Sequence, residues 1–214
     1  MTEFVDPYLD AEYGCLQNRL GIIDPDELAA MEHALVAVRQ RHLHQRIDPP
    51  PTTVEAWQAV HRHLFGDVFE WAGEFRTVNV TKGTHTFHPA SHMGTAVAYC
   101  ATRMGHIARL DRPDVGLLAE RLSELLADMN EAHPFREGNG RVQRFIVGQL
   151  AAHHDHPIAW GAISPTQNIE LSIATGVDHH AFARAIRIAM KVAADYDGSP
   201  DLRPDTSRRL DPDL

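Results

Sequence analysis

The sequence predicts a mainly α-helical bundle that carries one β-hairpin. Apolar residues recur at spacings of three and four along most of the chain, the period of one helix face. Those runs are preceded by helix-start chemistry, an Asp, Ser or Thr followed by Pro or a carboxylate. Residues 77–87 instead read as strand, with β-branched and aromatic residues around a Lys-Gly turn.

Residues 1–23 read as an irregular arm broken by Pro7, Gly14 and Gly21, with Tyr8, Tyr13, Leu16, Leu20, Ile22 and Ile23 expected to pin it to the core. Asp24-Pro25-Asp26-Glu27 is a helix start: an acid at the cap, Pro at the first helical position and a carboxylate at the third. Leu28, Met31, Leu35 and Val38 then define an inner face, and the helix is expected to run to about His44. Asp48 and the three prolines after it form a stiff break. Thr53 caps a second helix carrying Trp57, Val60, His61 and Leu64, which ends at Gly66-Asp67. Val78, Asn79, Val80, Thr81 and Lys82 form the outgoing arm of the hairpin. The turn is expected at Lys82-Gly83, and Thr84, Thr86 and Phe87 return.

A helix over about 91–110 turns Val97, Cys100, Met104 and Ile107 inward. Asp114 caps the next, with Val115, Leu118, Leu122, Leu125 and Met129 on one face. After a break at Gly138-Asn139-Gly140, Val142, Phe145, Ile146, Gln149 and Leu150 resume the period until His153–Pro157. Trp160-Gly161 reads as loop. Ser164-Pro165 opens a helix with Ile169, Leu171 and Ile173, and Asp178 caps a last one with Phe182, Ile186, Met190 and Ala193. From Asp197 the chain is Gly, Pro, Asp and Arg with little apolar content, an expected disordered tail over 197–214. The organisation is one domain over 1–196, with an arm and first helix over 1–46 and a core over 52–196.

Composition narrows the function classes. An apolar fraction of 43% is ample for a core, and a net charge of −9 argues against a nucleic-acid surface, which needs a basic face. Two cysteines, Cys15 and Cys100, make no disulfide framework and fit a reducing cytoplasm. The N-terminus has neither the basic nor the apolar region of a secretion signal, and no apolar run approaches the ~20 residues of a membrane span. Among 15 histidines, two clusters invite a zinc reading: His85, His88 and His92, and His153, His154 and His156. Zinc needs ligands converging tetrahedrally. Pro89 interrupts the first cluster and neighbours diverge in the second, so both read as solvated surface.

The chemistry concentrates in residues 133–144, His-Pro-Phe-Arg-Glu-Gly-Asn-Gly-Arg-Val-Gln-Arg. A glycine turn feeding a helix start presents outward N–H groups, which is an anion site. Arg141 and Arg144 stand on one helix face, and their guanidinium forks match phosphate oxygens. Glu137 offers a hard oxygen for Mg²⁺ held jointly with phosphates, and His133 is a base that is neutral near pH 7. Pro134 stiffens the turn, and Phe135 is an apolar peg for the core.

This stretch resembles the motif of the Fic family, His-x-Phe-x-Asp/Glu-Gly-Asn-x-Arg-x-x-Arg, at every position. The resemblance implies a Fic-type helical bundle with one β-hairpin flap, and an enzyme that transfers AMP from ATP to a protein hydroxyl. It implies that His133 deprotonates the target hydroxyl and Glu137 holds Mg²⁺. It further implies that the backbone of Gly138, Asn139 and Gly140 cradles phosphates, and that Arg141 and Arg144 bind the β- and γ-phosphates. A family branch resembling the Doc toxin has Lys where this chain has Gly140 and transfers phosphate, so Gly140 favours nucleotidyl transfer. The run from Phe69 to Gly83 resembles the family's approach to its flap. That implies a hairpin (Val78, Asn79, Val80, Thr81, Lys82) that registers a target strand by β-augmentation, with Lys82 and Gly83 beside ATP.

The arm, with Leu16-Gln-Asn-Arg-Leu-Gly21 and the Asp-Pro-Asp-Glu-Leu start, resembles Fic toxins held by a separate inhibitor. Such toxins imply a small helical antitoxin bearing Ser/Thr-x-x-x-Glu-Gly/Asn, whose Glu pairs with Arg144, and a bacterial type II topoisomerase as target. The nearest internal match, Thr166 to Glu170, is followed by Leu171 and is expected to be no brake. Transfer of another nucleotide or phosphate group, removal of AMP, and a catalytically idle binding module remain the alternatives.

Overall fold

The computed structural model describes residues 6–43, 47–83 and 85–195. Seven helices carry it: α1 Pro25–His42, α2 Val54–Phe65, α3 Met93–Ala108, α4 Val115–Ala132, α5 Asn139–His153, α6 Pro165–Ala174 and α7 Ala183–Ala194. Four starts follow the cap chemistry of the sequence. Asp24, Thr53, Asp114 and Ser164 each accept the amide three residues on, and Ser164 and Gln167 complete a reciprocal capping box. α4 runs through the centre, packed by α3, α5 and α7, with Leu118, Leu122, Leu125 and Met129 fully buried. α2 joins α1 to α5.

The only sheet among the described residues is a hairpin of β1 (Thr81–Lys82) and β2 (His85–Thr86), paired Thr81 with Thr86 and Lys82 with His85. It is shorter than the residue pattern predicts, and Lys82 lies in the strand rather than the turn, where Gly83 takes φ +59°.

Other expectations are corrected. On α1 the buried face is Leu28, Glu32 and Val36, while Met31 and Val38 are 43% and 42% exposed. A face shifted by one residue wins because Glu32 finds an ion-pair partner in Arg141. In the arm Tyr8 and Cys15 are buried, but Tyr13, Leu20 and Ile23 are exposed. Asn18 braces it, accepting from the Leu20 and Ile22 amides and donating to the Leu16 and Ile22 carbonyls. Trp160–Ala162 forms a 3-10 turn. α7 begins after Phe182 and not at Asp178, whose carboxylate caps the preceding turn at the His180 amide. The expected tail over 197–214 and His44 lie outside the described residues.

His153 and His154 are not merely solvated. Their Nε2 atoms meet the Ala108 and Ile107 carbonyls at 3.2 and 2.8 Å, satisfying the end of α3. Among the described residues no three His, Cys, Asp or Glu side chains gather as a metal site. Cys15 and Cys100 are buried and unbridged, and burial pushes the Cys100 thiol up to about 12. No helix among the described residues is long and apolar enough to cross a membrane.

Candidate active site

α4 delivers the chain to His133, which ends the helix in the left-handed conformation (φ 41°, ψ 58°) with its amide on the Met129 carbonyl at 3.0 Å. A non-glycine residue there costs on the order of 1–2 kcal/mol, so surrounding contacts must impose it. The imidazole stacks on Phe87 of the hairpin at 3.8 Å and 14°. Burial, aided by the positive charges of Arg76 and Lys82 and by His85, pulls its pKa down to about 4, with the Asn130 carbonyl partly opposing. His133 is therefore neutral at pH 7, and its buried Nδ1 has no hydrogen-bond partner.

The loop to α5 is held from several sides. Phe135 is wholly buried, stacked on His61 at 3.9 Å and edge-on to Trp57. The Asn139 side chain turns inward, accepting from the Phe135 amide at 2.9 Å and donating to its carbonyl at 2.8 Å. Asn139 can thus offer a ligand only its backbone. Arg136 pairs with Asp6 of the arm at 3.0 Å.

His61, on α2, accepts the Gly73 amide at Nδ1 (2.8 Å), which leaves Nε2–H to donate to the Glu137 carbonyl at 3.0 Å. Burial holds its pKa down to about 3, so this neutral tautomer persists.

Of the two motif glycines, only Gly138 uses a conformation disfavoured for other residues (φ +81°), and a Cβ there would lie 2.3 Å from the Phe65 ring. Gly140 has ordinary backbone, and its place is spatial: the nearest atom to a Cβ would be Arg144 Nη1 at 3.5 Å. Gly138 caps α5, and its own amide is taken by Glu137 Oε1 at 2.8 Å. The first helical bond runs from the Val142 amide to the Gly138 carbonyl, so the amides of Asn139, Gly140 and Arg141 form the open positive end of α5.

The two arginines differ. Arg141 lies over the Phe65 ring at 4.6 Å, pairs with Glu32 of α1, and stands 3.6 Å from Glu137. Arg144 has no carboxylate partner among the described residues. Burial and Arg141 lower its pKa to about 10, which leaves it charged at neutral pH. A guanidinium without a described carboxylate partner, behind a helix N-terminus, can seat an anion. Desolvation raises the Glu32 pKa and Arg141 opposes it. Glu137 is half-exposed, and one of its oxygens faces no described donor, so the donor set fits a hard cation shared with phosphate.

The hairpin divides into anchor and edge. Val78 is buried with its carbonyl on Arg76 at 2.7 Å, and Asn79 accepts the Ala90 amide at 2.9 Å. Val80 faces its partner, accepting the Phe87 amide at 3.1 Å. In that register the outward N–H and C=O belong to Thr81. Lys82 is exposed and close enough to His133 to depress its pKa, and Gly83 has open space around it.

The Fic/DOC family description matches residues 51–151. The chain is 30% identical over 162 residues to the probable protein adenylyltransferase Fic of Salmonella typhimurium, covering 74% of this chain and 78% of that one. The chain belongs to the Fic/DOC family. It is also 30% identical over 168 residues to protein adenylyltransferase VbhT of Bartonella schoenbuchensis, where 78% of this chain aligns with 35% of that longer relative. The BepC protein from Bartonella tribocorum, solved with bound AMPPNP, matches 85% of this chain and 95% of that chain at TM-score 0.76 and 22% identity.

Glu32, His61, Phe65 and Arg76 contact the 133–144 stretch, and none stands out as functional in the sequence. The step of four from Leu28 through Glu32 to Val36 is the one sign that Glu32 faces inward.

Proposed function

We propose that this Fic domain is a protein adenylyltransferase that moves AMP from ATP to a Tyr, Ser or Thr hydroxyl of a target protein. The observation that carries this reading is a neutral His133 held at the end of α4, with the open N-terminus of α5 and two arginines following in the same loop-helix unit. A hydroxyl directed at His133 gives its proton to the imidazole as its oxygen bonds to the α-phosphorus. The bond to the bridging oxygen breaks, and pyrophosphate departs towards Arg141, Arg144 and the Asn139 and Gly140 amides. Mg²⁺, held by Glu137, would supply charge neutralisation across the phosphates. Positioning and charge account for most of the rate in such a reaction. A pKa of about 4 makes a weak base in the free protein, and the arriving triphosphate's negative charge raises it towards a more useful value.

The test is His133→Ala with α-labelled ATP and a bacterial lysate. AMP transfer should fall by about 10²–10⁴-fold while AMPPNP affinity stays within a few-fold, because the imidazole acts on the incoming hydroxyl. Near-normal transfer removes His133 from the mechanism.

The finer reading is a cytoplasmic toxin restrained by a separate helical antitoxin, with a type II topoisomerase subunit as target. Its support is that Arg144 has no described carboxylate partner, while Glu170, in the nearest inhibitory pattern, is exposed on α6. Expression of the chain alone should then arrest growth. Harmless expression of folded, AMPPNP-binding chain would refute it.

A further inference from the structure

We propose that Arg76 is the positioning residue that fixes the hairpin against His133, so that a hydroxyl presented by the hairpin meets the imidazole. The inference rests on the reading of His133 as the base.

Arg76 is 2% exposed, and its charge is met by four backbone carbonyls. Nε donates to the His133 carbonyl at 2.7 Å and Nη1 to Val78 at 2.7 Å. Nη2 donates to His88 at 2.5 Å and to Ala132 at 3.3 Å. These acceptors belong to three segments: the last turn of α4 with the catalytic histidine, the outgoing stem of the hairpin, and its returning stem. The Arg76 backbone adds to the grip, its amide donating to the Pro134 carbonyl at 2.8 Å. The cation also sits at the C-terminal, negative end of α4, where a positive charge is favoured.

Only a guanidinium can do this. Its planar fork directs donors along fixed, diverging lines, whereas an ammonium is a point charge on a flexible stem. The left-handed backbone of His133 is disfavoured by itself, and the bond to its carbonyl is among the contacts that impose it. The stacking of His133 on Phe87 then follows from one bracket holding both sides.

The alternative is an ordinary buried residue, whose loss would weaken everything in parallel. The experiment compares the full chain with Arg76→Lys and Arg76→Gln by four readouts: circular dichroism, AMPPNP titration, NMR of the His133 ring and of amide exchange at Phe87 and His88, and labelling of lysate proteins from α-labelled ATP. The expected result is folded protein with AMPPNP affinity within about threefold of the parent, since the arginine touches no phosphate-binding group. The His133 ring signals should lose their ring-current displacement from Phe87. The two amides should exchange at least about tenfold faster, and labelling should drop about 10²-fold, as a displacement near 1 Å can cause. Unchanged ring signals and exchange in a folded variant overturn the proposal. So do a parallel loss of AMPPNP affinity and failure of both variants to fold, because Arg76 would then hold the domain and not the histidine. If the parent chain labels nothing, the proposed activity fails, while ring shifts and exchange still decide the role of Arg76.

Discussion

Gly138→Ala should damage the site through backbone and packing together. The residue has φ +81°, and its new methyl would sit 2.3, 2.5 and 2.9 Å from three carbons of the Phe65 ring. That ring cannot swing away: it is wholly buried, stacked on His61 at 4.7 Å and covered by Arg141 at 4.6 Å. The left-handed backbone costs about 1–2 kcal/mol and overpacking about 1–3 kcal/mol, so the variant should lose about 2–5 kcal/mol. For a chain of this size that lowers the melting temperature by about 4–20 °C. The first turn of α5 must shift, taking the Asn139 and Gly140 amides with it, so AMPPNP affinity should also fall. Gly140→Ala is the control. Its backbone is ordinary and the nearest atom to its Cβ is Arg144 Nη1 at 3.5 Å. Helix propensity favours alanine there by up to about 1 kcal/mol, so stability should hold or rise while the methyl crowds the proposed phosphate seat. Urea unfolding and calorimetric titration of both variants check this. A parent-like midpoint for Gly138→Ala, or a larger loss in Gly140→Ala, would refute the reasoning.

Three further outcomes follow from the geometry. Glu137→Ala should raise the Mg²⁺ concentration needed for transfer; if Glu137 only caps the Gly138 amide, the loss would be about 1 kcal/mol of stability with the Mg²⁺ titration unchanged. Thr81→Pro removes an outward strand donor, so target labelling should fall more than AMPPNP affinity, whereas equal losses would make the hairpin structural. His61 and His133 have pKa values of about 3 and about 4 in the fold, so below the ordinary value of 6.5 the unfolded chain binds more protons. Their contribution is full above pH 6.5 and lost as pH falls towards 4, several kcal/mol on an order-of-magnitude basis. Urea midpoints flat from pH 7 to 4.5 would contradict it.

Much of the fold was legible because helix starts are local chemistry. Asp24, Thr53, Asp114 and Ser164 each cap through their own side chain, within one turn of the residue that announces them. The motif from His133 to Arg144 was legible for the same reason: glycine turn, helix start and arginines lie within a dozen residues. What failed was decided at long range. The α1 face was misplaced because a pattern of apolar residues gives no value to a carboxylate, and only Arg141 across the fold makes Glu32 a buried residue. The hairpin was drawn too long because Val78 has the composition of a strand, yet its carbonyl belongs to Arg76. Asp178 has the composition of a cap but serves the turn before α7. His61 and Arg76 act on backbone atoms of distant segments, contacts that leave no trace in local spacing.

The N-terminal arm behaves as a strap with two buckles. Asp6 fastens to Arg136 in the loop between α4 and α5, and the Tyr8 hydroxyl receives the Thr77 amide at 3.1 Å at the foot of the hairpin, its ring set edge-on against Trp71. The arm therefore ties the loop between α4 and α5 to the stem of the hairpin. A substitution at Asp6 or Tyr8 is expected to loosen the two together.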